Sequence, residues 1–72
     1  MIAVSTVTYR IKDVGKDADY FRDLARSTLG ADALVEVHPG IVRFRFLAKL
    51  SKDQVGKLDK VVAEVAEGVR VE

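Results

Sequence analysis

Few residues of this chain have the chemistry of an acid–base catalyst or a metal ligand, and their spacing favours structural roles. His38 is the single histidine and directly precedes Pro39, so we expect a solvated turn residue, since one imidazole does not make a metal site. Asp13, Asp17 and Asp19 lack the spacing of a calcium loop, and we expect them to serve helix capping instead. Cysteine is absent, which excludes thiolate nucleophiles, disulfides and Cys-based zinc sites.

Two further patterns typical of catalysis are incomplete. Gly15-Lys16 is not a phosphate-binding loop, because the earlier glycine of that motif is missing and Asp17 replaces its Ser or Thr. The serines, at positions 5, 27 and 51, have no general base near them in any catalytic pattern: Ser5, Ser27 and Ser51 are therefore not candidate nucleophiles. We therefore predict a protein that is not an enzyme, with no catalytic residue, no cofactor and no metal.

The composition is that of a small globular chain. It has 72 residues, of which 49% are hydrophobic and 32% charged, and a formal net charge of +1. We expect a single domain over residues 1–72. A core of this size rarely supplies more than about 3–5 kcal/mol, so a disulfide, a metal or a partner usually adds stability. No apolar run reaches the roughly 20 residues of a membrane span, and from the N-terminal residues we expect no signal peptide. We expect a cytoplasmic protein without membrane contact, and its lack of Asn and high charge are typical of thermophiles.

Alternating apolar and polar residues predict three strands. The first runs from Ile2 to Lys12, the second from about Ala33 to His38 and the third from Ile41 to Leu50. Pro39-Gly40 predicts the turn between the last two, because proline presets φ and glycine accepts a positive φ. With these two residues as the loop, the strands pair Val37 with Val42, Glu36 with Arg43, and Val35 with Phe44.

Two helices complete the pattern. Asp17 or Asp19 is expected to cap the first helix and Gly30 to end it. Ser51 and Gln54 form a predicted capping box at the start of the second, which Gly68 closes. Its apolar stripe consists of Val55, Leu58, Val62, Val65 and Val69.

The resulting order is βαββα, and residues 69–72 also fit a short edge strand. This order predicts an α+β fold of the ferredoxin-like type. In that sandwich, two helices pack on one face of a three- to four-stranded sheet.

The helices are expected to cover one sheet face and leave the other open. The covered face carries Val7, Tyr9, Val35, Val37, Phe44 and Phe46. The alternation puts Ala48 on this same side. The open face is mainly basic and also apolar, and it carries Thr6, Thr8, Arg10, Lys12, Arg43, Arg45 and Lys49 together with Val4, Leu34, Ile41 and Leu47. Such a face is either solvated, with Arg and Lys stems over its apolar residues, or covered by a partner.

The leading hypothesis is a non-catalytic interaction subunit that forms a homodimer or docks onto a different protein in a larger assembly. The contact would bury Val4, Leu34, Ile41 and Leu47, while Arg43 and Arg45 would set the orientation. One alternative is an RNA- or DNA-binding module that contacts phosphates through Arg10, Lys12, Arg43, Arg45 and Lys49. Phe44 and Phe46 are expected in the core, so they would not stack on bases. A second alternative is a small-ligand regulatory domain.

The whole chain resembles the small dimerising subunit of the KEOPS complex, which takes part in threonylcarbamoyl-adenosine modification of tRNA. The resemblance rests on length, the βαββα order, the long first strand Ile2–Lys12, the third strand running into Leu50-Ser51, and the helix at residues 56–62. It implies a complex subunit, or a diverged relative of one, that pairs through strands and helices and contributes to tRNA binding. Asp59 lies where that family has a basic residue, so no functional residue is carried over.

Overall fold

A computed structural model describes residues 5–12 and 15–71 of the chain. Within them, the elements follow in the order β1 (Ser5–Arg10), α1 (Ala18–Leu29), β2 (Ala33–His38), β3 (Ile41–Phe46), α2 (Lys52–Ala66) and β4 (Val69–Arg70). The architecture is α+β, with a four-stranded sheet of order β2-β3-β1-β4 in which every neighbouring pair is antiparallel. Each helix therefore links two strands that lie on either side of a third.

The bounds of β2 and the hairpin that follows it are as predicted. Val37 pairs with Val42, Glu36 with Arg43 and Val35 with Phe44. Gly40 has a φ of 78°, which the second position of a Pro-Gly turn requires and which glycine adopts without steric cost.

The predicted first and third strands are longer than the observed ones. Residues 2–4 lie outside the described part of the chain, and β1 ends at Arg10. Beyond it, the Ile11 N–H donates to the Gly40 carbonyl at 2.9 Å and the Lys12 N–H to the Ala66 carbonyl at 3.0 Å. The third strand ends at Phe46 instead of Leu50, so Ala48, which alternation placed on the core side, is exposed.

Both ends of α1 are capped by residues that the sequence predicts, Asp17 and Gly30. The Asp17 carboxylate accepts the Tyr20 N–H at 2.9 Å and so caps a first-turn donor. Gly30 takes the left-handed conformation at the other end, with a φ of 67°, and its N–H reaches the Arg26 carbonyl at 2.8 Å.

The start of α2 is as predicted, but its end differs. Ser51 and Gln54 form both bonds of the capping box, at 2.9 and 3.2 Å. The left-handed residue at the C-terminus is Glu67, with a φ of 51°, and not Gly68. Val69 consequently leaves the helical stripe and begins β4.

Gly68 is required by packing. A Cβ at this position would collide with Cγ1 of the buried Val62 and lie 3.3 Å from Cγ2 of Ile11. Gly56, inside α2, has no such constraint, because a Cβ there would meet nothing within 4 Å.

The core lies between the helices and one sheet face and centres on Phe44. The Phe44 ring lies 5.8 Å from the Tyr9 ring and 6.2 Å from the Phe21 ring, both edge-to-face, which joins the two central strands to α1. Leu58 and Val62 bring α2 into the same cluster. The predicted core face is confirmed: Val7, Tyr9, Phe44 and Phe46 are buried, and Val35 and Val37 are half-buried against them.

The Tyr9 hydroxyl links this cluster to a polar side chain of α2. It donates to Oδ1 of Asp59 at 2.5 Å, and Nε of Arg70 donates to Oδ2 of the same carboxylate at 3.2 Å. Burial, then the Asp59 hydrogen bond and charge, raise the pKa of Tyr9 well above its ordinary value of 10.0, while Arg70 opposes the shift. The hydroxyl therefore stays protonated in the folded protein.

The two unlike glycines make a matched pair of variants. Gly68→Ala is expected to lower the free energy of unfolding by about 1–3 kcal/mol, because buried Val62 cannot move aside. Gly56→Ala is expected to raise it by up to about 1 kcal/mol, because alanine is the better helix former and has room. Urea denaturation measures both, and equal effects at the two positions would contradict this account.

The Tyr9 hydroxyl makes stability depend on alkaline pH. Above pH 10 the unfolded chain loses this proton while the folded chain keeps it, so rising pH favours unfolding. We expect wild type to lose up to about 1.4 kcal/mol per pH unit more than Tyr9→Phe in this range. Tyr20→Phe is the control, because the Tyr20 hydroxyl lies outside this network. A Tyr9→Phe variant with the wild-type pH dependence would refute the assignment.

Candidate protein interface on the open sheet face

The sheet face away from the helices, here called the open face, is defined by strand register. Each of its positions pairs with another of the same face, for example Thr8 with Arg43 and Arg10 with Val69. Its members in the strands are Thr6, Thr8, Arg10, Leu34, Glu36, His38, Ile41, Arg43, Arg45 and Val69.

Large apolar side chains are exposed on this face. Leu34 is 64% exposed, Ile41 38% and Val69 65%. Val71, 48% exposed, continues the line of β4, since its N–H donates to the Thr8 carbonyl at 2.9 Å. Leu47, 52% exposed, follows directly after β3. The exposed large hydrophobic residues of the described chain thus all belong to this face or directly continue its strands.

Glu36, the acidic residue among the open-face positions, contacts two neighbours on the same face. The Glu36 carboxylate lies 2.9 Å from an Arg45 nitrogen and 3.5 Å from Nε2 of His38. Arg43, the backbone partner of Glu36, does not take this carboxylate. The ion pair is diagonal across the strands, so it neutralises Arg45.

Arg43 and Arg10 provide the remaining positive charge. Nε of Arg43 donates to the Thr8 hydroxyl at 3.3 Å, and Thr8 is only 2% exposed although no helix covers it. The Arg43 side chain therefore lies along the sheet at its centre. Neither arginine forms a salt bridge to an acidic residue in the part of the chain that the structure describes.

Two of the predicted site residues, Lys12 and Lys49, are not brought into this group, and a third, Val4, lies outside the described residues. Lys12 is past the end of β1, and its ammonium lies 3.2 Å from the Glu67 carboxylate at the end of α2. Lys49 is exposed in the segment between β3 and α2. The strand cations that lie on the open face are Arg10, Arg43 and Arg45.

Val69 and Val71 were missed as interface candidates by sequence reasoning. Spacing left Val69 either in the apolar stripe of the second helix or in a short edge strand over residues 69–72, and the structure forms the strand, β4, with Val69 on the open face. The Val-x-Val alternation directly after Gly68 is typical of that strand, and extending the open face to it would have found both residues.

Aromatic stacking has no support on this face. Tyr9, Phe44 and Phe46 are buried on the helix side, and Tyr20 and Phe21 belong to α1. The arrangement can form ion pairs and hydrogen bonds and can bury apolar surface, but it offers no Phe or Tyr platform for nucleobases.

The side chains that first suggested catalysis have structural partners. Asp17 caps α1, and the Asp19 carboxylate lies 3.0 Å from Arg22 one turn further along the helix. His38 is exposed beside Glu36. Asp13 lies outside the described residues.

Among the described residues, no helix has the length and apolar content needed to cross a membrane. Comparison with known proteins finds no family model that matches the sequence, and no curated protein or solved structure that is significantly similar to the chain. The fold and the open face are therefore the observations on which a function is argued.

The diagonal ion pair can be measured by double-mutant cycles. Glu36→Gln combined with Arg45→Gln is expected to show a coupling of about 0.2–1 kcal/mol that falls in high salt, as for other half-exposed pairs. Glu36→Gln combined with Arg43→Gln is the matched cycle and should show less coupling, although these two residues are backbone partners. If the coupling of Glu36 to Arg43 were equal to or larger than its coupling to Arg45, the assignment of the ion pair to Arg45 would be wrong.

Proposed function

We propose that this protein is a non-catalytic interaction subunit whose open face docks onto a partner protein within a larger assembly. The partner surface would present carboxylates for Arg10 and Arg43, surrounded by apolar side chains that cover Ile41, Val69 and Leu34. We also propose that the fold is of the ferredoxin-like type. The antiparallel order β2-β3-β1-β4, with each helix linking strands on either side of a third, supports this assignment.

The segregation of exposed apolar residues is the observation that carries the proposal. A solvated sheet face can hide its apolar residues under arginine stems. Here Arg43 covers Thr8 instead, while Leu34 and Val69 stay about two-thirds exposed. Apolar surface collected on one face, together with arginine, is typical of protein contacts, since arginine is enriched at interfaces and lysine depleted.

Charge favours a different protein over a second copy as the partner. A sheet-to-sheet homodimer would bring the same arginines towards each other, and Glu36 is already occupied by Arg45. Like charges at a contact cost affinity, whereas an acidic partner gains from the same arginines. A homodimer remains an outcome of the test below.

Nucleic-acid binding is the second candidate, favoured by the two arginines that lack an acidic partner among the described residues. The three open-face cations, with no Phe or Tyr platform beside them, could contact phosphates but could not stack bases. The resemblance to the KEOPS subunit, and with it a role in tRNA processing, stays a prediction, because nothing in the fold or in the comparisons bears on it.

A charge placed on the apolar part of the open face is expected to abolish docking. The variant is Ile41→Asp with Val69→Asp; the two positions are 38% and 65% exposed and lie outside the core cluster, and urea denaturation confirms that the variant is folded before docking is compared. Ala63→Asp places one such charge on the exposed surface of α2, away from the open face, and is the control. Tagged wild type and variants are used as bait in nuclease-treated lysate of the source organism, and the captured protein is then purified for affinity measurements.

The proposal is supported if wild type and Ala63→Asp bind the purified partner while the face variant binds it at least about a hundredfold more weakly, equivalent to 2.7 kcal/mol. Arg10→Ala should slow association and reduce its salt dependence. Equal binding by the face variant would refute the proposal. So would sedimentation showing that the chain forms a dimer that only the face variant dissociates, which would assign the face to a second copy.

A fluorescent single-stranded RNA of mixed sequence tests the second candidate. If the RNA binds, and if this binding weakens steeply with salt and is reduced by Arg43→Ala, the open face contacts a phosphate backbone and the protein-docking proposal is wrong. We expect no such binding at physiological salt, because the formal net charge of the chain is only +1.

A further inference from the structure

A cleft of about 470 Å³ opens on the helix side of the molecule, at the start of α2. Leu50 and Val55 supply apolar walls, both half-buried, and Lys52 supplies positive charge. The Arg70 guanidinium also lines the cleft, beside the Asp59 carboxylate that offsets its charge. Its volume falls within the range of small-molecule sites, which is roughly 300–1,000 Å³. Arg70 shares a sheet face with its strand partner Tyr9, so this cleft is separate from the open face.

Gly56 lies in the wall of this cleft, and the fold itself does not explain it. Glycine inside a helix costs about 1 kcal/mol relative to alanine. A Cβ at Gly56 would meet nothing within 4 Å, so no internal close approach requires its absence. Gly68, by contrast, is accounted for by Val62 and Ile11. The missing side chain at Gly56 keeps the cleft open and exposes the helix backbone to whatever enters.

Arg70 is held in place at the cleft by a chain of hydrogen bonds that begins in the core. The buried Tyr9 hydroxyl donates to Oδ1 of Asp59 at 2.5 Å, which fixes the carboxylate, and Oδ2 then accepts from Nε of Arg70 at 3.2 Å. No described acidic residue other than Asp59 forms a salt bridge with Arg70. A guanidinium oriented in this way offers paired N–H donors, which match the oxygens of a carboxylate or a phosphate.

We propose that this cleft binds a small molecule that carries a phosphate or carboxylate group next to an apolar body. The oxyanion would contact Arg70 and Lys52, and the apolar body would lie against Leu50 and Val55 beside the bare backbone of Gly56. The site does not depend on the docking function of the open face, because the two share no residue.

Phenyl phosphate, benzoate and neutral benzamide are suitable probes, since they combine one ring with three different head groups. Each is titrated into ¹⁵N-labelled full-length protein while the amide signals of Val55 and Gly56 and the Nε signal of Arg70 are followed by NMR. We expect saturable shifts at these positions with a Kd of about 1 mM or tighter for at least one anion, and none for benzamide. The tighter anion identifies the head group as phosphate or carboxylate.

Variants separate a built site from general attraction of anions. Gly56→Leu fills the cleft with a good helix former, and Arg70→Gln removes the guanidinium charge; each should weaken binding about tenfold or more. Lys57→Gln removes an exposed α2 charge outside the cleft and should leave Kd unchanged. The proposal is overturned if neither anion gives saturable shifts, if benzamide binds equally, or if Gly56→Leu, shown by its NMR spectrum to be folded, binds as wild type does.

Discussion

Packing of Phe44 against Tyr9 and Phe21 is the interaction on which the rest of the structure depends. It joins the two central strands to α1, and strand alternation then decides the side of every neighbouring residue. Arg43 and Arg45 flank Phe44 and therefore point away from the helices. A register slip by one residue would bury these arginines and expose the aromatic rings, at a cost of several kcal/mol. Core and open face are thus two consequences of one register.

The same constraint concentrates both apolar surface and charge on the open face. Strands β2, β3 and β4 each bring apolar residues there, and β1 and β3 bring arginine. A core of this size leaves a small margin of stability, so burial of this face against a partner would also stabilise the chain. The free energy gained by burying the open face would then contribute both to docking and to the stability of the fold.

The helix layer has its own link to the core through Tyr9, Asp59 and Arg70. A hydroxyl buried among aromatic rings is satisfied only because Asp59 reaches it from α2. That carboxylate in turn orients an exposed arginine at the edge of the cleft. The two glycines in and after α2 differ in their surroundings. A Cβ at Gly68 would collide with side chains inside the protein, whereas a Cβ at Gly56 would project into open space.

The sequence by itself determined the elements whose signals are local: the Asp17 and Ser51 caps, the left-handed Gly30, the Pro-Gly hairpin with its register, and the burial of Phe44 and Phe46. These depend on the alternation and capping chemistry of neighbouring residues, which an α+β pattern displays directly. Only the tertiary structure decided where the third strand ends, that Glu67 closes α2, that Val69 joins the open face, and that Glu36 pairs with Arg45 instead of Arg43. These outcomes are settled by contacts between segments distant in sequence, such as Gly68 against Ile11, or by competition among side chains for one partner. Local propensity cannot rank such alternatives, because their energies exist only once the sheet and the helices are packed together.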